Sequence, residues 1–327
     1  MITAADVKQC ALELGADLVG IAPMERWEGA PKQMDARYIA PDAKSMIVMG
    51  FRIPRGTLRG IEEGTFYVSY ASMGYAAINH VLQPMVLWGV TAMIEDAGYE
   101  AVPIPNNFPW TNTDSSGQDL AAIGVPRLGF SMPVSPDKPA PDVFVSMRIA
   151  AFMAGLGEIG WSKMFLSPKF GPRQRLACIL TDAPLAPDPI YEGPALCDRC
   201  MACARECTGG AIPTDPQDSI KITVAGRELE WANINYVDCS RYFCGASEEH
   251  NPFMITEADR EGFQQPVGQA QRYKVGPTYD YGRALEGAKG CIRACMIHLE
   301  EQGKLSNTFD RPFRRRPQWR IPWPREM

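Results

Sequence analysis

The sequence predicts an α+β chain in two parts. An α/β layer spans residues 1–188, a cysteine-rich metal module spans 189–300, and a basic tail follows over 301–327. Three observations predict this. Apolar runs of strand length alternate with helical patterns through the first part, as in an α/β layer. Eight of the ten cysteines fall in two groups in the C-terminal third. A length of 327 residues suits about two domains.

The elements follow in order. Residues 3–14 read as an amphipathic helix with Thr3 as N-cap, Asp6 at N3 as a variant capping box, and Gly15 as the stop. Asp17 to Ile21 reads as a short buried strand, and Ser45 to Phe51 as a second. Residues 72–97 carry a long helical pattern with a candidate kink at Pro84. Ala101 to Ile104 is a third strand, Val143 to Gly155 a helix, and Arg175 to Thr181 a strand. Residues 105–142 lack periodicity, and so long an irregular segment reads as a functional loop. Within the cysteine module, 215–290 reads as an insertion between the two halves.

Composition bounds the function. The chain is 46% hydrophobic and 22% charged, which is ordinary for a soluble globular protein. No apolar run approaches 18 residues, so no membrane span is expected, and no leader is read at the start, which predicts a cytoplasmic protein. A net charge of −5 argues against a general nucleic-acid binder. The exception is the arginine-rich tail (Arg311, Arg314, Arg315, Arg316, Arg320, Arg325), read as an extension that wraps the domain through Phe313, Trp319 and Trp323.

The cysteines carry the chemistry. Cys197, Cys200, Cys203 and Cys207 are spaced C-x2-C-x2-C-x3-C, the bacterial ferredoxin run, in which three thiolates hold one cluster and the fourth reaches another. Cys239, Cys244, Cys291 and Cys295 form a looser second set. Two-cluster logic assigns Cys197, Cys200, Cys203 and Cys295 to one 4Fe–4S cluster, and Cys207, Cys239, Cys244 and Cys291 to the other. Thr208 and Met296 stand where a proline usually follows the fourth cysteine. Zinc is the rival, since four thiolates also hold a tetrahedral zinc, but zinc sites favour paired C-x2-C knuckles. Cys10 and Cys178 read as small buried hydrophobes. The histidines His80, His250 and His298 are scattered and read as structural.

Upstream lies a glycine segment, Ala154-Gly155-Leu156-Gly157-Glu158-Ile159-Gly160, followed by Ser162 and by Ser167-Pro168-Lys169-Phe170-Gly171-Pro172-Arg173-Gln174-Arg175. Glycines admit positive φ and close backbone approach, a reasonable wall for a flat cofactor. The G-x-G-x-x-G spacing is not a dinucleotide fingerprint here, because the glycines follow a helix instead of joining a strand to one.

With the cysteines, these segments and Leu14-Gly15-Ala16-Asp17-Leu18-Val19-Gly20-Ile21 resemble the cobalamin-dependent reductive dehalogenases and their relatives the epoxyqueuosine reductases, over roughly residues 1–300. The resemblance implies a nitroreductase-like α/β corrinoid-binding domain followed by a bacterial-ferredoxin-like two-cluster domain. It implies base-off cobalamin, without a protein ligand to cobalt, fed by two 4Fe–4S clusters. Corrinoid contacts are then expected from Asn106, Asn107, Gly155, Gly157, Gly160, Ser162, Phe170, Gly171 and Arg173. In dehalogenases the proton donor is a tyrosine assisted by a cation, which implies Tyr75, with Tyr70 in reserve, beside Arg148. An arginine seven residues before Gly155, on a small-residue helix, needs an anionic partner. Asp142 lies near the epoxyqueuosine-reductase position. The expected function is reductive removal of a leaving group from a small organic substrate, with electrons from a low-potential donor such as a ferredoxin or flavodoxin. A tRNA-modifying reductase and a non-catalytic electron carrier are the alternatives.

Overall fold

The computed structural model describes residues 2–105, 133–141, 143–243, 247, 249–252, 289–313 and 317–322, without the side chains of Ser240 and Arg241. Asn106, Asn107, Asp142, Cys244 and Trp323 lie outside the described residues.

A helix, α1, runs Ala4–Leu14 between the predicted caps: Thr3 and Asp6 close the capping box, and Gly15 ends it at φ +118°. The strands β1 (Leu18–Pro23), β2 (Ser45–Arg52), β3 (Ala101–Ile104) and β6 (Gln174–Thr181) form one sheet in the order β1-β2-β6-β3, antiparallel throughout. The short strands β4 (Glu158–Ile159) and β5 (Phe165–Leu166) pair as a separate hairpin.

β2 is buried from Ser45 to Phe51, which explains its unbroken apolar run: both faces of the sheet are covered. The period-2 alternation splits its side chains between two cores. Ile47, Met49 and Phe51 join Ala177 and Ile179 in one core with Val7 and Ala11 of α1. Met46 and Val48 join Leu176, Cys178 and Leu180 in the other, against a short helix α4 (Met147–Met153). Cys178 is a buried hydrophobe there, its thiol pushed up to about 12 by burial. The helix expected from Val143 starts only at Met147, because Phe144 is in extended chain that donates its N–H to Gln33.

A small helix α2 spans Arg59–Glu63. The long helical pattern becomes a continuous helix, Ser69–Asp96. Its first part has π geometry over Ser69–Ala76 and Ile78–Leu82, and its last part, Gln83–Asp96, is the α-helix α3 with Pro84 in its first turn. At 28 residues and a mean hydropathy of 1.3, this helix is long and apolar enough to cross a membrane. A core helix passes the same test, and this one buries Tyr70, Tyr75, Ile78, Val86, Leu87, Val90 and Ile94 in the first core.

Beyond the sheet come α5 (Ala202–Arg205), the hairpin β7 (Ser219–Val224) to β8 (Arg227–Ala232), α6 (Tyr236–Phe243) and α7 (Cys291–Glu301). The hairpin turns at Ala225 and Gly226, both at positive φ, as a tight two-residue turn requires. The buried pair Arg293–Glu62, at 2.5 Å, ties α7 to α2. The C-terminal segment lies against the body as the sequence suggested for two of its aromatics. Phe313 is buried, and Trp319 donates to the Ile61 carbonyl at 2.9 Å.

Candidate functional site

The first thiol group is built by a tight loop and one helix. Arg199 and Met201 both sit at φ +57°, which curls the C-x2-C-x2-C chain back on itself. Cys197, Cys200 and Cys203 then line one small cavity with Cys295 from α7, walled by Gly160, Trp161 and Ser162. The Trp161 backbone N–H donates to the Cys197 sulfur at 3.3 Å. Burial pushes the Cys203 thiol up to about 11, the neighbouring Cys197 and Cys200 adding to the rise, while a hydrogen bond with Ser162 opposes it. Cys295 is raised well above the ordinary thiol value by burial and by Cys203, Cys197 and Cys200.

The second group gathers Cys207, Cys239 and Cys291. Burial pushes Cys239 up to about 11, with Cys207 adding to it, and raises Cys291 further with Cys239 and Cys207 as neighbours. Cys203 also acts on Cys291, so the two groups adjoin. All described cysteines are free thiols.

Thiols so placed disfavour their own ionisation, for want of positive charge to hold the thiolates. A metal cluster supplies that charge, so this donor set suits one. Asp198, Cys200 and His298 also bring ligand atoms within 4.8 Å of one another. There the carboxylate pairs with the imidazole at 2.7 Å, and Cys200 also faces the first cavity.

Next to the second group lies a tyrosine–arginine nest. The phenol of Tyr70 accepts from Arg175 Nη2 at 3.0 Å. The same guanidinium stacks on the Tyr75 ring with its carbon 3.8 Å from the centroid. The two rings meet edge to face at 6.5 Å, and Phe243 of α6 packs on Tyr75 at 5.8 Å. The π geometry makes this possible. Its i→i+5 repeat keeps Tyr70 and Tyr75 on one side, whereas five residues of α-helix would turn them well apart. Burial raises the Tyr70 pKa, Arg175 opposes the rise, and Cys291 adds to it. The nest and the second thiol group are therefore electrostatic neighbours. Arg175 Nε is buried with no hydrogen-bond partner among the described residues, so the nest holds an unused donor.

The cation beside the tyrosines is thus Arg175, not the expected Arg148. Arg148 is half-buried on α4, and its charge is felt at Cys239, whose pKa it lowers. Arg175 was present in the sequence as the last residue of the Ser167-to-Arg175 segment. What the sequence could not show was that β6 carries it to the π-helical turn.

The glycine segment has another role than an open wall. Gly155 sits at φ +75°, where a Cβ would come 2.1 Å from the Pro189 carbonyl oxygen. A Cβ on Gly157, at φ +152°, would meet the Leu166 carbonyl oxygen at 2.0 Å, and one on Gly160 would lie 3.1 Å from the Leu166 side chain. Gly171, at φ +58°, faces Leu299 and Leu305, and Phe170 is fully buried. Arg173 donates to the carbonyl of Ile53 and to Asn307 Oδ1, both at 2.9 Å, holding the C-terminal segment to the sheet. Burial pulls the Arg173 pKa down to about 10. These residues are accounted for by the packing of the chain on itself, and Ser162 by Cys203. Of the expected corrinoid contacts, Asn106 and Asn107 lie outside the described residues. The described thiols thus suit iron–sulfur clusters, and the glycine segment is packed against the chain's own backbone.

A direct consequence concerns Gly157. Gly157→Ala combines backbone strain with a Cβ placed 2.0 Å from a backbone oxygen, so nothing flexible can move aside. The expected cost is about 3 kcal/mol or more in chemical denaturation, against about 1 kcal/mol for Gly98→Ala, which meets nothing and carries only the strain of its positive φ.

No protein-family model matches the chain. It is 35% identical over 113 residues to a tetrachloroethene reductive dehalogenase of Sulfurospirillum multivorans, covering 32% of this chain and 22% of that protein. Against a tetrachloroethene reductive dehalogenase of Desulfitobacterium hafniense it is 28% identical over 268 residues, 75% of this chain and 45% of the relative. The chain therefore spans less than half the length of these relatives. Among solved structures, the catabolic reductive dehalogenase NpRdhA in complex with 3-bromo-4-hydroxybenzoic acid superposes with a TM-score of 0.51 at 20% identity, over 94% of this chain and 38% of that one. In sequence over part of their length, and in fold, this chain is similar to reductive dehalogenases.

Proposed function

We propose that the chain is an iron–sulfur reductase of the reductive dehalogenase type, removing halide from a small organic substrate. The observation that carries this reading is the adjacency of the two thiol groups, with the second one next to the Tyr70–Tyr75–Arg175 nest. In this reading Cys197, Cys200, Cys203 and Cys295 hold one 4Fe–4S cluster. Cys207, Cys239 and Cys291, with Cys244, hold the second. A soluble low-potential donor supplies electrons at the first cluster, whose loop residues Asp198 and Arg199 are 41% and 45% exposed.

The nest acts at the other end of the path. Reductive loss of halide leaves a carbon that needs one proton. Tyr70 is held protonated by burial, and Arg175 stabilises a transient phenolate, which suits a proton donor and its positioning cation. Tyr75 is 6% exposed where Tyr70 is wholly buried, so Tyr75 is the ring that meets substrate and Tyr70 the one behind it. The orphan Arg175 Nε suits a polar or anionic substrate group or the departing halide. A bound corrinoid would supply the low-potential reductant for the carbon–halogen bond, and no described residue is assigned to hold it.

The test is anaerobic purification with added cobalamin. About eight iron per chain by the two-cluster pattern, 4Fe–4S EPR signals on reduction, and a base-off cobalt(II) spectrum are the expected results. Zinc in place of iron sinks the cluster assignment. Full iron with no cobalamin bound favours a plain electron carrier instead.

A further inference from the structure

The side of the long helix away from the core is not built for water. From Ser69 to Ile94 the helix carries no Asp, Glu, Lys or Arg. Its outer side presents Val81, Met85 and Trp88, which are 56%, 65% and 79% exposed. These positions are four and three residues apart and so stand in one line. Leu14 of α1 adjoins it, since a Cβ on Gly89 would lie 2.6 Å from the Leu14 side chain, and Leu12 and Leu14 are themselves exposed. A helix side that faces solvent is ordinarily polar, and a single exposed apolar residue is commonplace, but a continuous line over two helices marks a contact surface.

We propose that this surface joins two copies of the chain about a twofold axis, with their Ser69–Asp96 helices antiparallel. The pattern of side-chain size supports it. Centred between Pro84 and Met85, an antiparallel pairing sets Trp88 of each copy against Val81 of the other. It also sets Ala77 against Ala92 at both ends. The largest residue meets a small branched one, and the alanines let the backbones close beyond them.

The charge pattern supports it as well. A twofold contact lays one patch on itself, so any charge near the axis meets its own like across it. This line has none to repel. A membrane surface fits less well. Helices that lie in the headgroup region carry Lys and Arg along their polar edge, and this one has neither and ends in Glu95 and Asp96.

The experiment is sedimentation of the anaerobically purified full chain over a wide concentration range, with Trp88→Glu and Val81→Glu beside it. The expected result is a concentration-dependent dimer that each substitution weakens at least tenfold, with far-UV circular dichroism and iron content unchanged. A chain that stays monomeric at high concentration overturns the proposal. So does a dimer indifferent to both substitutions. Flotation with phosphatidylcholine–phosphatidylglycerol vesicles that Trp88→Glu abolishes, without a dimer in solution, assigns the surface to membrane instead.

Discussion

In the proposed reaction, Arg175→Met is expected to cut turnover by roughly a hundredfold or more, the usual scale for loss of an assisted proton donor, with iron content unchanged. The guanidinium does two things at once. It donates to the Tyr70 phenol at 3.0 Å and covers the Tyr75 face at 3.8 Å. Its removal leaves Tyr70 raised by burial with nothing to oppose the rise, so the phenolate that must form during proton transfer becomes costlier. A pH profile separates this role from simple loss of packing. Activity that depends on a protonated phenol falls as pH rises through its pKa. Removing the cation that lowers that pKa moves the alkaline limb upward. Tyr75→Phe should lose activity on the same scale as Arg175→Met. Tyr70→Phe should lose as much, because the phenol that Arg175 touches is that of Tyr70. Normal turnover in Arg175→Met with a competent substrate removes the nest from the mechanism.

Cys291→Ala is expected to halve the iron, from about eight to about four per chain, and to abolish turnover. Cys291 is buried on α7 among Cys239, Cys207 and Cys203, nearest of the cysteines to Tyr70 in its electrical effect. In the proposed assignment its loss opens the second cluster and leaves the first, whose sulfurs would come from the Cys197 loop and from Cys295 one helical turn further on. EPR of the reduced variant should keep one 4Fe–4S signal and lose any broadening from a neighbouring cluster. Cys203→Ala is the mirror case, losing the first cluster. Iron that stays near eight in Cys291→Ala shows that the ligand sets are divided differently.

Both experiments rest on groupings that were unequally visible in the sequence. The assignment of cysteines to two groups followed from spacing, because a two-residue gap can curl and a hundred-residue gap cannot say where it returns. Cys295 was placed with the N-terminal three by pattern, and the fold puts it in their cavity. The cation that touches the tyrosines is Arg175. Arg148 looked suitable because it precedes the glycines in the chain, yet nearness along the chain is a poor guide to nearness across a sheet. The glycines' conformational freedom is visible in the sequence, but the carbonyls of Pro189 and Leu166 that leave no room for a Cβ at Gly155 and Gly157 are not, because other segments bring them there.

Local physics was therefore sufficient for α1 and its caps, for the strands with unbroken apolar runs, and for the convergence of Cys197, Cys200 and Cys203 on one cavity. Each depends on residues a few positions apart, where propensity, period and ligand spacing act directly. The tertiary structure decided the rest: an antiparallel sheet order, the π register that sets Tyr70 beside Tyr75, the choice of Arg175 over Arg148, and the uncharged outer line of the long helix. These depend on which distant segments share space. Burial, charge neighbours and orphan donors arise only when β6, the long helix and α7 close on one another.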